Sequence, residues 1–264
     1  RWDESLVNLP WVLCLAGIGL AFYGQARASG GGVMLSIAFT YMLLSMPLVN
    51  THVALAGCAD FFLGAFYAGA IMAFHNWSVR KELWQGALAI FMALCCPLIK
   101  DEGFYWILTF VPALVVLALP WRTAAVFLMT SLALLVGVLW LFPKDIMVVG
   151  HSLDELNLFY RAQALPAILA SFLVKGSWHI FGYILIFFIP LGFFMIGKRR
   201  ARYRPIGVAL MSAVLLFLVL FLATKFSTGA VRYTAVSRIS LHLVPAFVFL
   251  SMLLYFELSS SRHT

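Results

Sequence analysis

Apolar residues in this chain come in long blocks. Nine nearly unbroken runs stand out: Leu6–Tyr23, Val33–Val49, Phe61–Phe74, Gln85–Ile99, Phe104–Leu119, Thr123–Phe142, Trp178–Ile196, Ile206–Thr224 and Leu241–Phe256. An amphipathic helix of a soluble protein would show an apolar stripe at a 3.6-residue period with polar positions opposite. Here the polar positions fall mostly between the runs. A bilayer core roughly 30 Å thick takes about 20 residues of helix. The pattern therefore predicts an all-α membrane protein, a polytopic bundle of about nine transmembrane helices joined by short loops. The third and fourth runs are short for full spans. They are expected to tilt in a thin region or to be extended through Ala54 and Leu55 at one end.

The breaks between runs have a chemical basis. Gly30, Gly31 and Gly32 interrupt the chain after the first run. Pro120 and Pro143 stop runs and Pro205 opens one, where its missing N–H costs little. The longest connection, Pro143–Ser177, holds an apolar stretch, Leu165–Val174, flanked by Arg161 and Lys175. It is too short to span and reads as one helix lying in the membrane interface, or as a re-entrant segment. Residues 1–264 form a single transmembrane helical domain on this reading. The chain opens on Arg1-Trp2-Asp3-Glu4, and the expectation is that a preceding N-terminal segment carries the first spans and an outside loop.

Composition narrows the function classes. Apolar residues make up 64% of the chain and charged residues 11%, with a mean hydropathy of +1.00. Soluble domains have about 45–50% and about 25%, so lipid is the expected solvent. The net charge of +8 does not indicate nucleic-acid binding, because the basic residues are scattered between apolar runs. The exception is the group Lys198, Arg199, Arg200, Arg202 and Arg204, which has the character of a cytoplasmic loop. The four cysteines, Cys14, Cys58, Cys95 and Cys96, form no CxxC pair and read as isolated thiols.

With that cluster placed in the cytoplasm, threading gives inside connections at Gly24–Gly32, His75–Trp84, Pro120–Arg122, Gly197–Pro205 and the tail. Ten of the 18 Lys and Arg then lie inside, and eight of the ten acids lie outside: Asp3, Glu4, Asp60, Asp101, Glu102, Asp145, Asp154 and Glu155. The acidic face is the one expected to carry chemistry, on the outer side of the cytoplasmic membrane of a cell envelope. Asn76-Trp77-Ser78 matches a glycosylation sequon but falls inside by this threading, and is read as chance.

Three constellations lie on that face. The first runs from Asn50 through His52 to Asp60, where the Asp60 carboxylate either caps the helix that follows or lines a polar site with His52. The second is Lys100-Asp101-Glu102-Gly103, either a solvated turn or a site where Lys100 meets a phosphate and Glu102 orients it or binds sugar hydroxyls. In the third, Arg238 and His242 stand four residues apart, on one face of a helix start. There Arg238 either snorkels or grips a phosphate. The substrate-binding residues expected are thus His52, Asp60, Lys100, Glu102, Arg238 and His242. Metal ligands are unassigned, a divalent metal being possible, and no other cofactor is implied.

These same residues carry a resemblance. The stretch Thr51-His52-Val53-Ala54-Leu55-Ala56-Gly57-Cys58-Ala59-Asp60 resembles the Thr-His-x-Ala-x-x-Gly-Tyr-Ala-Asp segment of bacterial GT-C-type glycosyltransferases, relatives of dolichyl-phosphate-mannose–protein mannosyltransferases and of aminoarabinose transferases. Lys100-Asp101-Glu102-Gly103 resembles their Lys-x-Glu-Gly turn, and Arg238 to Pro245 resembles their late Arg-x-x-x-x-x-x-Pro segment. The likeness covers most of the chain and keeps the motif order. It implies a multi-helix enzyme that takes a polyprenyl-phosphate-linked sugar as donor and transfers it to a protein, lipid or glycan. By the resemblance, Lys100 and Arg238 contact the donor phosphate, while His52, Asp60 and Glu102 line the site. Two departures stand out. Cys58 replaces the family's Tyr, and the catalytic acid of the family's first outside loop has no clear equivalent. The chain is therefore expected to be a C-terminal part, with its catalytic residue in a missing N-terminal loop and little activity alone.

Other function classes predict other patterns. A secondary transporter would place its site near the midplane on broken helices, with internal repeats. No repeat is evident here, and His179 and Lys225 lie near run ends. A polysaccharide polymerase or ligase would show long outside loops rich in arginine, and only one long loop is present.

Overall fold

The computed structural model describes residues 4–55, 57–141, 147–148, 151–152, 161–175, 178, 180–224 and 226–260. Asp3, Asp145, Asp154, Glu155, His179, Lys225 and Arg262 lie outside the described residues. The order is α1 (Glu4–Val7), α2 (Leu9–Ala28), α3 (Val33–Leu44), α4 (Pro47–Ala54), α5 (Asp60–Arg80), α6 (Leu83–Ile99), α7 (Glu102–Leu108), α8 (Phe110–Ala118) and α9 (Trp121–Leu141). Two-residue strands β1 (Met147–Val148) and β2 (His151–Ser152) follow, paired antiparallel with Met147 opposite Ser152. Then come α10 (Ala164–Leu173) and α11 (Phe181–Tyr183), which runs through a π-helical turn (Ile184–Phe188) into α12 (Ile189–Met195). The chain closes with α13 (Arg200–Ala223), α14 (Ser227–Val231), α15 (Val236–Ser240) and α16 (Val244–Ser260). The all-α class is as expected.

The nine runs do not become nine spanning helices. Among the described residues, two helical stretches are long and apolar enough to cross a membrane, Leu9–Ala28 and Ala201–Ala223. A third arises if α3 and α4 count as one broken span. The second run is broken because Pro47 has no N–H to continue α3, and the axis bends there by 57°. Among the described residues the other apolar helical stretches, α9 counted over Trp121–Leu134, run for 10 to 17 residues, at most about 25 Å at 1.5 Å per residue. The third run is longer than the hydropathy shows, but at the opposite end from Ala54 and Leu55. Helix α5 continues through His75, Asn76 and Ser78, all buried, to Arg80, and stops where Lys81 turns left-handed at φ 61°. The sequon Asn76 is therefore a buried helical residue. Likewise Pro205 does not open α13 but sits inside it, since the helix starts upstream in the basic cluster.

Helices α5 and α16 pack together at the core, and α2, α3, α12 and α13 also contact α16. Helix α16 is buried all round from Val244 to Leu254, which explains its lack of a polar face. Outward, apolar surface persists. Only 28% and 33% of the most apolar windows of the two long stretches are buried, and Leu13, Leu20, Met211 and Leu215 are exposed. Hydrocarbon displayed on that scale suits contact with lipid. Trp178, which opens the seventh run, is fully buried and stacked on Phe172 at 6.3 Å. The stretch Leu165–Val174 is largely the helix α10, whose buried face packs against α13, α14 and α15.

The ends of the bundle differ in character. The N-terminus of α5 meets the C-terminus of α6 and the turn before α16, and this end carries Asp60, Asp101 and Glu102. At the opposite end Gln25, Ser29, Asn76 and Gln85 form a chain of side-chain hydrogen bonds. There too Glu257 accepts from Arg199 at 2.9 Å and from Tyr203 at 2.7 Å.

Candidate functional site

Asp60 is the first residue of α5, yet it does not cap the helix. The N-cap position is Ala59, and no side chain caps there. The Asp60 side chain is 5% exposed. Two distant stretches of chain converge on it, Lys100–Glu102 and Arg238–His242. Lys100 Nζ donates to Asp60 Oδ1 at 2.7 Å and pairs with Glu102 Oε1 at 3.0 Å. His242 Nε2 lies 3.0 Å from the same Oδ1, and Arg238 Nε is 3.6 Å from Oδ2.

Two glycines permit this convergence. A Cβ on Gly103 would lie 2.2 Å from the Cys96 carbonyl carbon. The start of α7 therefore packs directly on the end of α6, so that Lys100 and Glu102 flank one tight corner. A Cβ on Gly64 would lie 2.8 Å from the Leu241 carbonyl oxygen. Gly64 is one turn after Asp60 on the same helix face, so its bare surface lets the α15–α16 turn settle with His242 against the carboxylate.

His242 is fully buried and both of its ring nitrogens are engaged. The indole N–H of Trp106, which can only donate, points to Nδ1 at 3.1 Å. Nδ1 must therefore be an unprotonated acceptor, and Nε2–H donates to Asp60. Burial also pushes the imidazole toward the neutral form, against the pull of the Asp60 charge. For Asp60, burial favours the protonated acid. The hydrogen bonds from His242 and Lys100 outweigh it and hold the carboxyl well below its usual range. His242 thus differs from the expected substrate contact. It orients Asp60 from beneath, and the solvent-facing groups are Lys100, Glu102 and Arg238, whose side chains are 25%, 24% and 47% exposed.

Trp106 is held in turn. Thr109 donates its hydroxyl to the Trp106 carbonyl at 2.6 Å, so the Tyr67 hydroxyl must donate to Thr109 Oγ1 at 2.9 Å. Trp106→Phe removes the donor and leaves the shape. The expected result is that His242 gains a free Nδ1 beside a carboxylate and begins to take up a proton as pH falls through the ordinary histidine range. In the native protein it stays a neutral Nε2–H tautomer over the same range. Nitrogen-15 NMR of labelled histidine, with His242 assigned by His242→Gln, reads this directly. An unchanged His242 signal in Trp106→Phe would refute the assignment.

His52 does not join the cluster. Helix α4, set off by the Pro47 bend, carries it, and its Nδ1–H donates to the Leu48 carbonyl at 2.9 Å within its own helix. Its ring is buried in the packing of α4. Cys58, which stands where the resembled family has Tyr, offers its backbone carbonyl to Trp11 Nε1 at 3.0 Å. A divalent metal does not fit the described donor set. No trio of His, Cys, Asp and Glu there could hold one, and the Lys100 ammonium already bridges Asp60 and Glu102.

A cavity of about 100 Å³ is lined by Phe172, Val214, Phe217, Ser240, Leu243 and Val244 among others, none of them a charged member of the cluster. Three of these belong to the stretch that carries Arg238 and His242. Sequence reasoning missed Trp106, Gly64, Tyr67 and Thr109. The only trace was spacing, with Gly64 four residues after Asp60 and Trp106 four after Glu102. No protein-family model, no curated protein and no solved structure matches this chain.

Proposed function

We propose that the chain is a membrane glycosyltransferase, or the C-terminal part of one. In this reading it transfers a sugar from a polyprenyl-phosphate donor to a protein, lipid or glycan acceptor on the outer face of the cytoplasmic membrane. The polytopic arrangement belongs to the same proposal, with the shorter apolar helices tilted or paired to traverse a locally thin bilayer. The observation that carries it is the gathering of Lys100 and Arg238 around Asp60, with an apolar cavity lined in part by the stretch that carries Arg238. A phosphate suits the cations, and an isoprenoid suits the cavity.

In the reaction the acceptor hydroxyl oxygen attacks the anomeric carbon. That carbon's bond to the phosphate oxygen breaks and a polyprenyl phosphate leaves. Its added charge is stabilised by Lys100 and Arg238. The acceptor's proton passes to a carboxylate.

Arg238 gives the cleanest test, because its exposed ion pair contributes little to stability. Membrane vesicles carrying the protein and their own acceptors are supplied with a polyprenyl-phosphate-linked radiolabelled hexose. Arg238→Ala is expected to lower transfer by about a hundredfold, the scale for losing one transition-state donor, with unchanged expression. Transfer at the native rate in both Arg238→Ala and Lys100→Ala would overturn the assignment.

A further inference from the structure

The opposite end of the bundle carries a second cationic feature. Among the described residues its two acids are taken: Glu82 pairs with Arg80 at 3.6 Å, and Glu257 with Arg199 at 2.9 Å. Arg204, at the head of α13, instead lays its guanidinium over the Trp121 ring, 5.5 Å from the centroid. Trp121 opens α9 and is 48% exposed. Arg122 follows it directly, also exposed, and no carboxylate among the described residues pairs with Arg122 or Arg204. The Arg204 guanidinium therefore covers the exposed indole, and Arg122 adds a second exposed cation one residue along α9.

Directly along the helices from this group the surface is hydrocarbon. Val126 and Phe127 on α9 and Met211 and Leu215 on α13 are all more than half exposed. Cations on a rim, an indole at the same level and exposed hydrocarbon beyond them match the layers of a phospholipid. A free phosphate would use the guanidinium groups and leave the apolar faces bare.

We propose that Arg122, Arg204 and Trp121 form a binding site for an anionic glycerophospholipid. The phosphate lies between the two guanidinium groups, the indole sits at the glycerol level, and the acyl chains run along α9 and α13. The site rests on the membrane reading but not on sugar transfer, and it lies at the end of the bundle away from Asp60.

The test is native mass spectrometry of the full chain in detergent with dioleoylphosphatidylglycerol or dioleoylphosphatidylcholine, and with glycerol phosphate as the headgroup control. The expected result is retention of the anionic lipid in preference to the zwitterionic one, with no retention of glycerol phosphate. Arg122→Ala with Arg204→Ala should cut that preference about tenfold or more. Arg202 is the control. It lies at the same end but beside its own Tyr203 ring, 5.8 Å from the centroid, so Arg202→Ala changes charge without touching the site and should leave the preference intact. Equal binding of both lipids, retention of glycerol phosphate, or an equal loss in Arg202→Ala would overturn the site. Trp121→Phe, which keeps the ring and both arginines, should weaken the preference only slightly. A complete loss there would also count against it.

Discussion

Asp60→Ala is expected to destabilise the protein by about 3–5 kcal/mol, the range for removing one partner of a buried ion pair. The Asp60 side chain is 5% exposed and ties two distant stretches, one with Lys100 and one with Arg238 and His242, to the start of α5. Without it, the Lys100 ammonium keeps Glu102 alone, and the buried His242 Nε2–H loses its acceptor. An unsatisfied buried donor costs about 1–3 kcal/mol by itself. Asp60→Asn, which keeps shape and one acceptor oxygen, should lose less. Adding Lys100→Met to Asp60→Ala should restore part of the loss, because a hydrocarbon replaces the stranded charge. Unfolding in mixed micelles measures all four proteins. An Asp60→Ala change within about 0.5 kcal/mol of native would place the carboxylate among ordinary surface charges. A double variant no better than the single would show that Lys100 does not depend on it.

Acidification should act in the same direction. Asp60 has its native pKa held below the unfolded value, so its contribution is complete above the unfolded carboxyl range and declines as pH falls toward the native pKa. His242, also held low, binds its proton more readily in the unfolded chain, so stability falls as pH drops below the ordinary histidine range.

Gly103→Ala is the second large effect. The added Cβ would stand 2.2 Å from the Cys96 carbonyl carbon, 2.3 Å from its oxygen and 2.5 Å from the Pro97 nitrogen. All three are backbone atoms, so no side chain can swing aside, and the α6–α7 corner must open. Ordinary overpacking costs about 1–3 kcal/mol. This substitution is expected to reach or exceed the top of that range and to pull Lys100 away from Asp60. Gly137→Ala is the matched control. It lies within α9 with nothing inside 4 Å of the added carbon, and should be neutral or stabilising by about 0.5–1 kcal/mol. Thermal unfolding of the two variants compares them. Equal stability would mean that Gly103 does not enforce the corner.

The block pattern of hydropathy determined the helical class, most run positions, the break at Gly30–Gly32, and the places where Asp60, Lys100, Glu102 and Arg238 stand at helix ends. These are local properties, since an apolar run tends to form a helix and a charge ends it near the polar layer whatever lies elsewhere. Tertiary structure decided the rest. It extended α5 through His75 and Asn76 because distant residues bury both, Phe249 and Tyr203 packing on the His75 ring and Gln25 and Ser29 hydrogen-bonding Asn76. It broke the second run at Pro47, and it set His52 aside in a helix of its own. It placed His242 against Asp60, 182 residues away in sequence, and locked its tautomer through Trp106. Such pairings depend on how closely two backbones approach. Here that distance is set by the missing side chains of Gly64 and Gly103, a constraint that no hydropathy pattern records.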